Sequence, residues 1–338
     1  MIALAVVASP THVDLSHPEH PRRLDGPAEA ARQAFGASLL MIEAAPALEA
    51  DVLTVHTPEH IDFLRRACSQ APAIIDYAPT YVSPDSLQCA FHATGATLAV
   101  LNAVLDGRAS GGFAAVRPPG HHAPADRAMG FCLFNNVAIA ARSAQRSGHH
   151  RVMIVDFDVH HGNGTQAIFD SDPSVLYLST HQSGIYPGTG AADDIGAGPG
   201  RGTSVNIPLA AGAGDATFQR IASELLHPLA DRFGPDLILV SAGYDAHWRD
   251  PLASLQLSTP GFHALSTFLV SLALGLCQGR IAFVLEGGYD PPAVQEGILA
   301  SVAAMGAVAP PFDLLGKAPH PEPDSASTIE TIRSIHGL

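Results

Sequence analysis

The chain has 338 residues, 47% of them hydrophobic and only 15% charged, with 18 Lys and Arg against 32 Asp and Glu. A formal net charge of −14 leaves no dense basic footprint, so direct binding of nucleic acid is not expected. The four cysteines, Cys68, Cys89, Cys132 and Cys277, are scattered without a CxxC pair, which argues against a disulfide framework or a thiolate zinc site and for a reducing, cytoplasmic setting.

Residues 2–8 read as a buried first strand, since no basic residue precedes them as it would in a signal peptide. A helix is expected over 83–106, with Ser83 as N-cap and Gly107 as its stop. Strands follow at 112–116, 151–157, 174–179, 237–241 and 281–285, with helices near 134–147, 215–233, 260–278 and 291–307. Short apolar strands alternating with helices predict an α/β fold, one domain with a mostly parallel central sheet flanked by helices. Strands apolar at every position fit a sheet covered on both faces. The expected catalytic domain covers 1–316, and 317–338 is a polar tail or docking segment. The glycine-rich stretches 184–202 and 209–214 read as structured loops near a site. No run reaches the roughly 18 apolar residues of a membrane helix, so no membrane partner is expected. Homo-oligomerisation is left open.

The 18 histidines equal Lys and Arg together, and some fall in chemically telling places. In the run from Val155 to Gly162, VDFDVHHG, side-chain alternation would send Asp156, Asp158 and His160 to one side of a strand end. Burying unpaired carboxylates is costly, and Asp and His donors suit a divalent metal. A second apolar strand delivers Asp245, and ligands of open α/β sheets bind beyond the carboxyl ends of the strands. The Gly162 to Ala167 stretch formally matches G-x-G-x-x-A, but its acidic approach is the reverse of what a pyrophosphate needs. The adjacent His121 and His122 follow a Pro-Pro-Gly turn and could supply base and acid at neutral pH. Tyr289, after another strand and two glycines, could hydrogen-bond a developing oxyanion.

Taken in order, RPPGHHA, MGFC, DFDVHHGNGTQ, STH, YPGTG, SAGYDAHWRDPL and LEGGYD resemble the histone deacetylase and acetylpolyamine amidohydrolase family, of arginase-type α/β fold. Asn163 in the HGNGTQ wording resembles its class II and bacterial branch. The resemblance implies Asp158, His160 and Asp245 as zinc ligands with a coordination position left open. It implies a potassium ion at Asp156, Ser179 and Thr180 with the backbone of Asp158 and His160. His122 would be general base and then acid, partnered by Asn163. His121 would act electrostatically beside Asp156, and Tyr289 would polarise the acyl carbonyl. Gly130, Phe131, Tyr186 and Leu252 would line a narrow acyl channel, with Tyr186 where the family usually has a phenylalanine. The rim group that grips the substrate backbone has no clear match, with Asp76 and Thr80 as candidates.

The expected activity is zinc-dependent hydrolysis of the amide of N-acetyl-lysine or a similar acylated amine by a metal-activated water. The alternative is an acetylpolyamine deacetylase or another small amide or ester hydrolase. A dimanganese ureohydrolase would need more acidic ligands, and a catalytically dead binding module would not need Tyr289.

Overall fold

Eight parallel strands form the central sheet of the computed structural model, which describes residues 1–309 and 313–338. In chain order the strands are β1 (Ile2–Val7), β2 (Leu39–Met41), β3 (Ala73–Ile74), β4 (Tyr81–Val82), β5 (Gly112–Val116), β6 (Val152–Asp156), β7 (Val175–Gln182), β8 (Ser204–Leu209), β9 (Leu237–Ala242) and β10 (Ile281–Leu285). The sheet order is β2-β1-β5-β10-β9-β6-β7-β8, and β3 and β4 form a separate antiparallel pair.

Strands β5, β6, β9 and β10 are buried at every position because helices cover both faces of the sheet. Side-chain alternation sorts their residues into two cores. Phe113, Met153, Val155, Ile238, Val240 and Phe283 pack on one face against the helices Thr259–Leu276 and Pro291–Met305. Ala114, Val116, Ile154, Leu239 and Val284 pack on the other against the helices Ser86–Leu105 and Asn136–Arg146. The order places β5, β10, β9 and β6 side by side, so the four strands that end in the histidine, tyrosine and aspartate motifs open onto one stretch of the carboxyl edge.

Several sequence expectations need correction. The first long helix spans Ser86–Leu105 with Asp85 at its N-cap, because the Ser83 hydroxyl is turned aside to donate to the Thr11 carbonyl at 2.6 Å. The helix expected over 215–233 is interrupted by a π turn at Ala222–Leu226. Strand β8 was not anticipated, since Pro208 weakens its strand pattern; as the edge strand it tolerates a proline. By length and composition, Ser86–Leu105 and Thr259–Leu276 are apolar enough to cross a membrane, although Gln88, His92 and Asn102 in the first and His263 in the second interrupt any continuous apolar run. Their apolarity is that of core helices, and Leu101 and Leu269 are buried against the sheet. In the last segment, the helix Ala326–His336 buries Ile329 and Ile332, and Glu322 accepts the amides of Gly214, Ala216 and Thr217. These three N–H groups open a helix and lack intrahelical acceptors, so a carboxylate there satisfies them.

Candidate active site

Strand β6 stops at Asp156, and the chain beyond it folds over the sheet edge. Asp158 and His160 meet Asp245 from the end of β9, and one donor atom from each lies within 4.8 Å of the others. His160 Nδ1 is 3.2 Å from Asp158 Oδ1 and 3.2 Å from Asp245 Oδ2. Those separations match the edge of about 3.3 Å in a tetrahedron whose metal bonds are about 2.0–2.1 Å long. Burial works against the charge of Asp158, yet the imidazoles of His121 and His160 hold its carboxyl below the ordinary range. Burial and the neighbouring Asp158 push the Asp245 carboxyl up to about 6. Two buried carboxylates repelling each other across one imidazole form a donor set that a divalent cation would neutralise, so these residues fit zinc.

Asp156 lies on the same edge, behind His121, whose Nε2 is 3.8 Å from Asp158 Oδ1. Asp156 Oδ2 accepts from the Tyr177 hydroxyl at 2.9 Å and lies 3.1 Å from His121 Nδ1. Gly162 allows this closeness, since a Cβ there would collide with Asp156 Oδ2 and the Tyr177 hydroxyl. The helix that follows, Asn163–Phe169, therefore begins against a carboxylate and is no pyrophosphate site. Of the residues expected around potassium, Ser179 is the register partner of Asp156 across β6 and β7, and Thr180 Oγ1 donates to the Asp156 carbonyl at 3.3 Å. The Ser179 hydroxyl lies 3.0 Å from His181 Nδ1. This is an oxygen-rich corner, of the kind a hard cation prefers.

The histidine pair, with ring centroids 4.0 Å apart, is electrostatically split. Burial opposes a charge on His121, but Asp158 and Asp156 outweigh it and push the imidazole up to about 10. Burial, with His121 and His160 beside it, holds His122 well below the ordinary histidine range. Asn163 Oδ1 accepts from His122 Nδ1 at 2.9 Å, which leaves Nε2 with its lone pair free. Two like side chains pushed apart in this way are suited to different roles.

Tyr289, His122 and His160 line a cavity of about 280 Å³ together with Gly130, Phe131, Tyr186 and Leu252. All four channel residues thus come together, along with Ala78 and Pro79, which the sequence did not single out. Tyr186 stands edge-on to His122 with ring centroids 5.0 Å apart, and its buried hydroxyl has no hydrogen-bond partner among the described residues. Burial, reinforced by Asp245, raises the Tyr289 phenol well above its ordinary value, so it stays a hydrogen-bond donor.

Sequence reasoning missed the groups that hold these residues in place. Glu286, at the end of β10, accepts the amides of Gly120 at 2.6 Å and His121 at 3.0 Å, and burial pushes its carboxyl up to about 7. Arg23 donates to the carbonyls of Glu286 and Gly288 and lies 5.0 Å from the Tyr289 ring centroid. Arg117 makes a buried bidentate pair with Glu19, anchoring the start of the histidine loop. Asp250 accepts the Tyr289 amide at 2.7 Å and the Leu252 amide at 2.9 Å. LEGGYD and DPL carried the signal for Glu286 and Asp250, as acids beside glycine or proline at strand ends. Asp250→Ala strands both amides and is expected to lower kcat by about tenfold through displacement of Tyr289, with Asn restoring part of it. Unchanged steady-state kinetics would show that Tyr289 does not depend on this carboxylate.

A family model described as the histone deacetylase domain matches residues 17–305 of this chain, spanning every segment that builds the site. The chain belongs to the histone deacetylase family. It is 45% identical over 266 residues to histone deacetylase 14 of Arabidopsis thaliana, covering 75% of this chain and 63% of that relative. It is 38% identical over 330 residues to the human polyamine deacetylase HDAC10, covering 94% of this chain and 48% of that relative. The chain therefore spans about three fifths and about half the length of these two curated relatives. Among solved structures, the crystal structure of the HDA15 HD domain superposes with a TM-score of 0.87 at 36% identity, covering 99% of this chain and 94% of that one. The deacetylase fold is thus established on both sequence and shape.

Proposed function

We propose that this protein is a zinc-dependent deacylase that hydrolyses the amide of N-acetyl-lysine or a similar acylated amine. The observation that carries the reading is that the Asp158, His160 and Asp245 donor set reaches, through His160, the same cavity that His122 and Tyr289 line. Zinc, when bound by these three residues, would supply Lewis acidity toward the acyl carbonyl and the attacking water. The rest is done by the chain itself. His122 Nε2 accepts the proton of the attacking water, with Nδ1 fixed by Asn163, and then delivers it to the nitrogen of the departing amine. His121, paired with the Asp156 carboxylate at 3.1 Å, stabilises the negative charge that builds at the reacting carbon's oxygens. The Tyr289 hydroxyl donates to the oxyanion. Gly130, Phe131, Tyr186 and Leu252 hold the acyl-bearing arm and keep bulk water from it. A potassium ion beside Asp156 and Ser179 would act structurally, bracing the loop that carries Asp158 and His160.

The second reading, an acetylpolyamine deacetylase, is favoured by the likeness to the human polyamine deacetylase. Comparing kcat/KM on an acetyl-lysine peptide, free acetyl-lysine, acetylputrescine and acetylspermidine separates the two, and inactivity on all four would sink both. Metal analysis after exhaustive dialysis is expected to find one zinc per chain. Two equivalents would point to a binuclear ureohydrolase-type centre instead.

A further inference from the structure

Gly130 and Phe131 are the central residues of a tight turn closed by Met129 and Cys132, whose backbones exchange hydrogen bonds of 3.2 and 2.9 Å. Both central residues have positive φ, 57° at Gly130 and 71° at Phe131. A turn of this hand normally carries Asn and Gly, and a bulky aromatic in its second central position is backbone strain at a functional site. Gly130 is needed for a further reason, since a Cβ there would run into the His122 ring. Phe131, so placed, meets Tyr289 edge-on with centroids 5.9 Å apart and His17 at 4.4 Å.

A second turn holds this one. Between β3 and β4 the chain reverses over residues 75–80, closed by the Ile75 amide donating to the Thr80 carbonyl at 2.8 Å. Asp76 Oδ2 accepts the Gly130 amide at 3.1 Å, and Thr80 Oγ1 accepts the Phe131 amide at 2.9 Å. The Ala78 amide and the Thr80 hydroxyl lie 3.4 Å from the same Asp76 oxygen, so the carboxylate also folds its own turn. The amides of both central residues of this strained turn are thus taken up by side chains of the second turn.

We infer that the Asp76–Thr80 turn is a positioning device that holds the Gly130–Phe131 wall, and that the mouth therefore reads an acylated amine by its apolar arm and not by a flanking peptide backbone. The second half rests on the deacylase reading above. Asp76 and Thr80, the two candidates for gripping substrate at the rim, point inward. The residues of this turn that do line the cavity are Ala78 and Pro79, which have no polar side-chain atom, and Pro79 has no N–H. Among the described residues no Asp, Glu, Lys or Arg lines the cavity. A peptide's amides or a polyamine's ammonium groups would be left there without a charged partner, which costs affinity.

Wild-type enzyme is assayed on a blocked acetyl-lysine amide, a pentapeptide with central acetyl-lysine, and N-acetylspermidine. The first two are expected to agree in kcat/KM within about threefold and the third to fall at least about tenfold below them. A peptide more than about tenfold better than the single residue, or acetylspermidine as the best substrate, overturns the specificity. For the wall, Thr80→Val keeps shape but removes the acceptor; KM should rise about tenfold with kcat within about threefold, and amide exchange of residues 129–132 should quicken. Thr80→Ser should restore both, and Asp76→Ala should shift both in the same direction as Thr80→Val. A Thr80→Val enzyme with wild-type KM and exchange overturns the wall. If no substrate is turned over, the deacylase reading fails and the specificity with it, while the exchange rates still decide whether this turn holds Phe131.

Discussion

Replacing His122 by alanine is expected to lower kcat by about 10²- to 10⁴-fold, the usual scale for a lost general acid–base, while zinc per chain stays at the wild-type level. The split result follows from where the ring sits. His122 lines the cavity beside His160 and Tyr289, but the donor set is complete without it in Asp158, His160 and Asp245. Its Nδ1 is committed to Asn163, so only Nε2 is free to carry a proton. Burial and two neighbouring imidazoles keep it neutral, which a base must be before it can act. His121 is placed differently, with its Nδ1 3.1 Å from the Asp156 carboxylate where His122 Nδ1 faces an amide oxygen. Steady-state kinetics with metal analysis on the same preparation checks the claim. Activity within about tenfold of wild type would remove His122 from the reaction, and loss of zinc would move it into the metal's coordination sphere.

The site was legible in the sequence where chemistry lies on consecutive residues and illegible where it crosses the fold. Alternation with burial cost brings Asp158 and His160 forward, and the Pro-Pro-Gly turn after an apolar strand brings forward the His121–His122 pair. Alternation also places Asp156 on the face opposite Val155 and Phe157, but it does not report that this carboxylate turns to His121 and Tyr177. The supporting groups left almost no pattern. Glu286 acts on the backbone of Gly120 and His121, and Asp250 on the backbone of Tyr289. A carboxylate that accepts amides 39 or 166 residues away is set by tertiary closure, which no local period reports. The same holds for two further buried histidines. His17 packs its ring on Phe131 and Tyr81, and His181 lies near Ser179 and Gly190. In the fold, β8 escaped notice because an edge strand carrying a proline needs less of the apolar pattern that marks β5 or β6.

Tyr289→Phe is expected to lower kcat by about 10²- to 10³-fold with KM changed by less than about threefold, as when an oxyanion-hole donor is removed. Phenylalanine keeps everything that positions the ring. Its amide still donates to Asp250, Arg23 still lies over the ring, and the edge-on contact with Phe131 survives. What is lost is one hydroxyl proton in the channel. That proton is available throughout the working range, because burial and the nearby Asp245 hold the phenol above its ordinary value. On the proposed mechanism Tyr289 serves as a donor and not as a base, and its loss should act on the transition state more than on bound substrate. Asp250→Ala gives the complementary case, keeping the hydroxyl but releasing the backbone that aims it. The phenylalanine variant should therefore be the more impaired of the two. The reverse order would mean that Tyr289 works chiefly as part of the channel wall, and a fall in kcat below about threefold would remove its hydroxyl from the reaction.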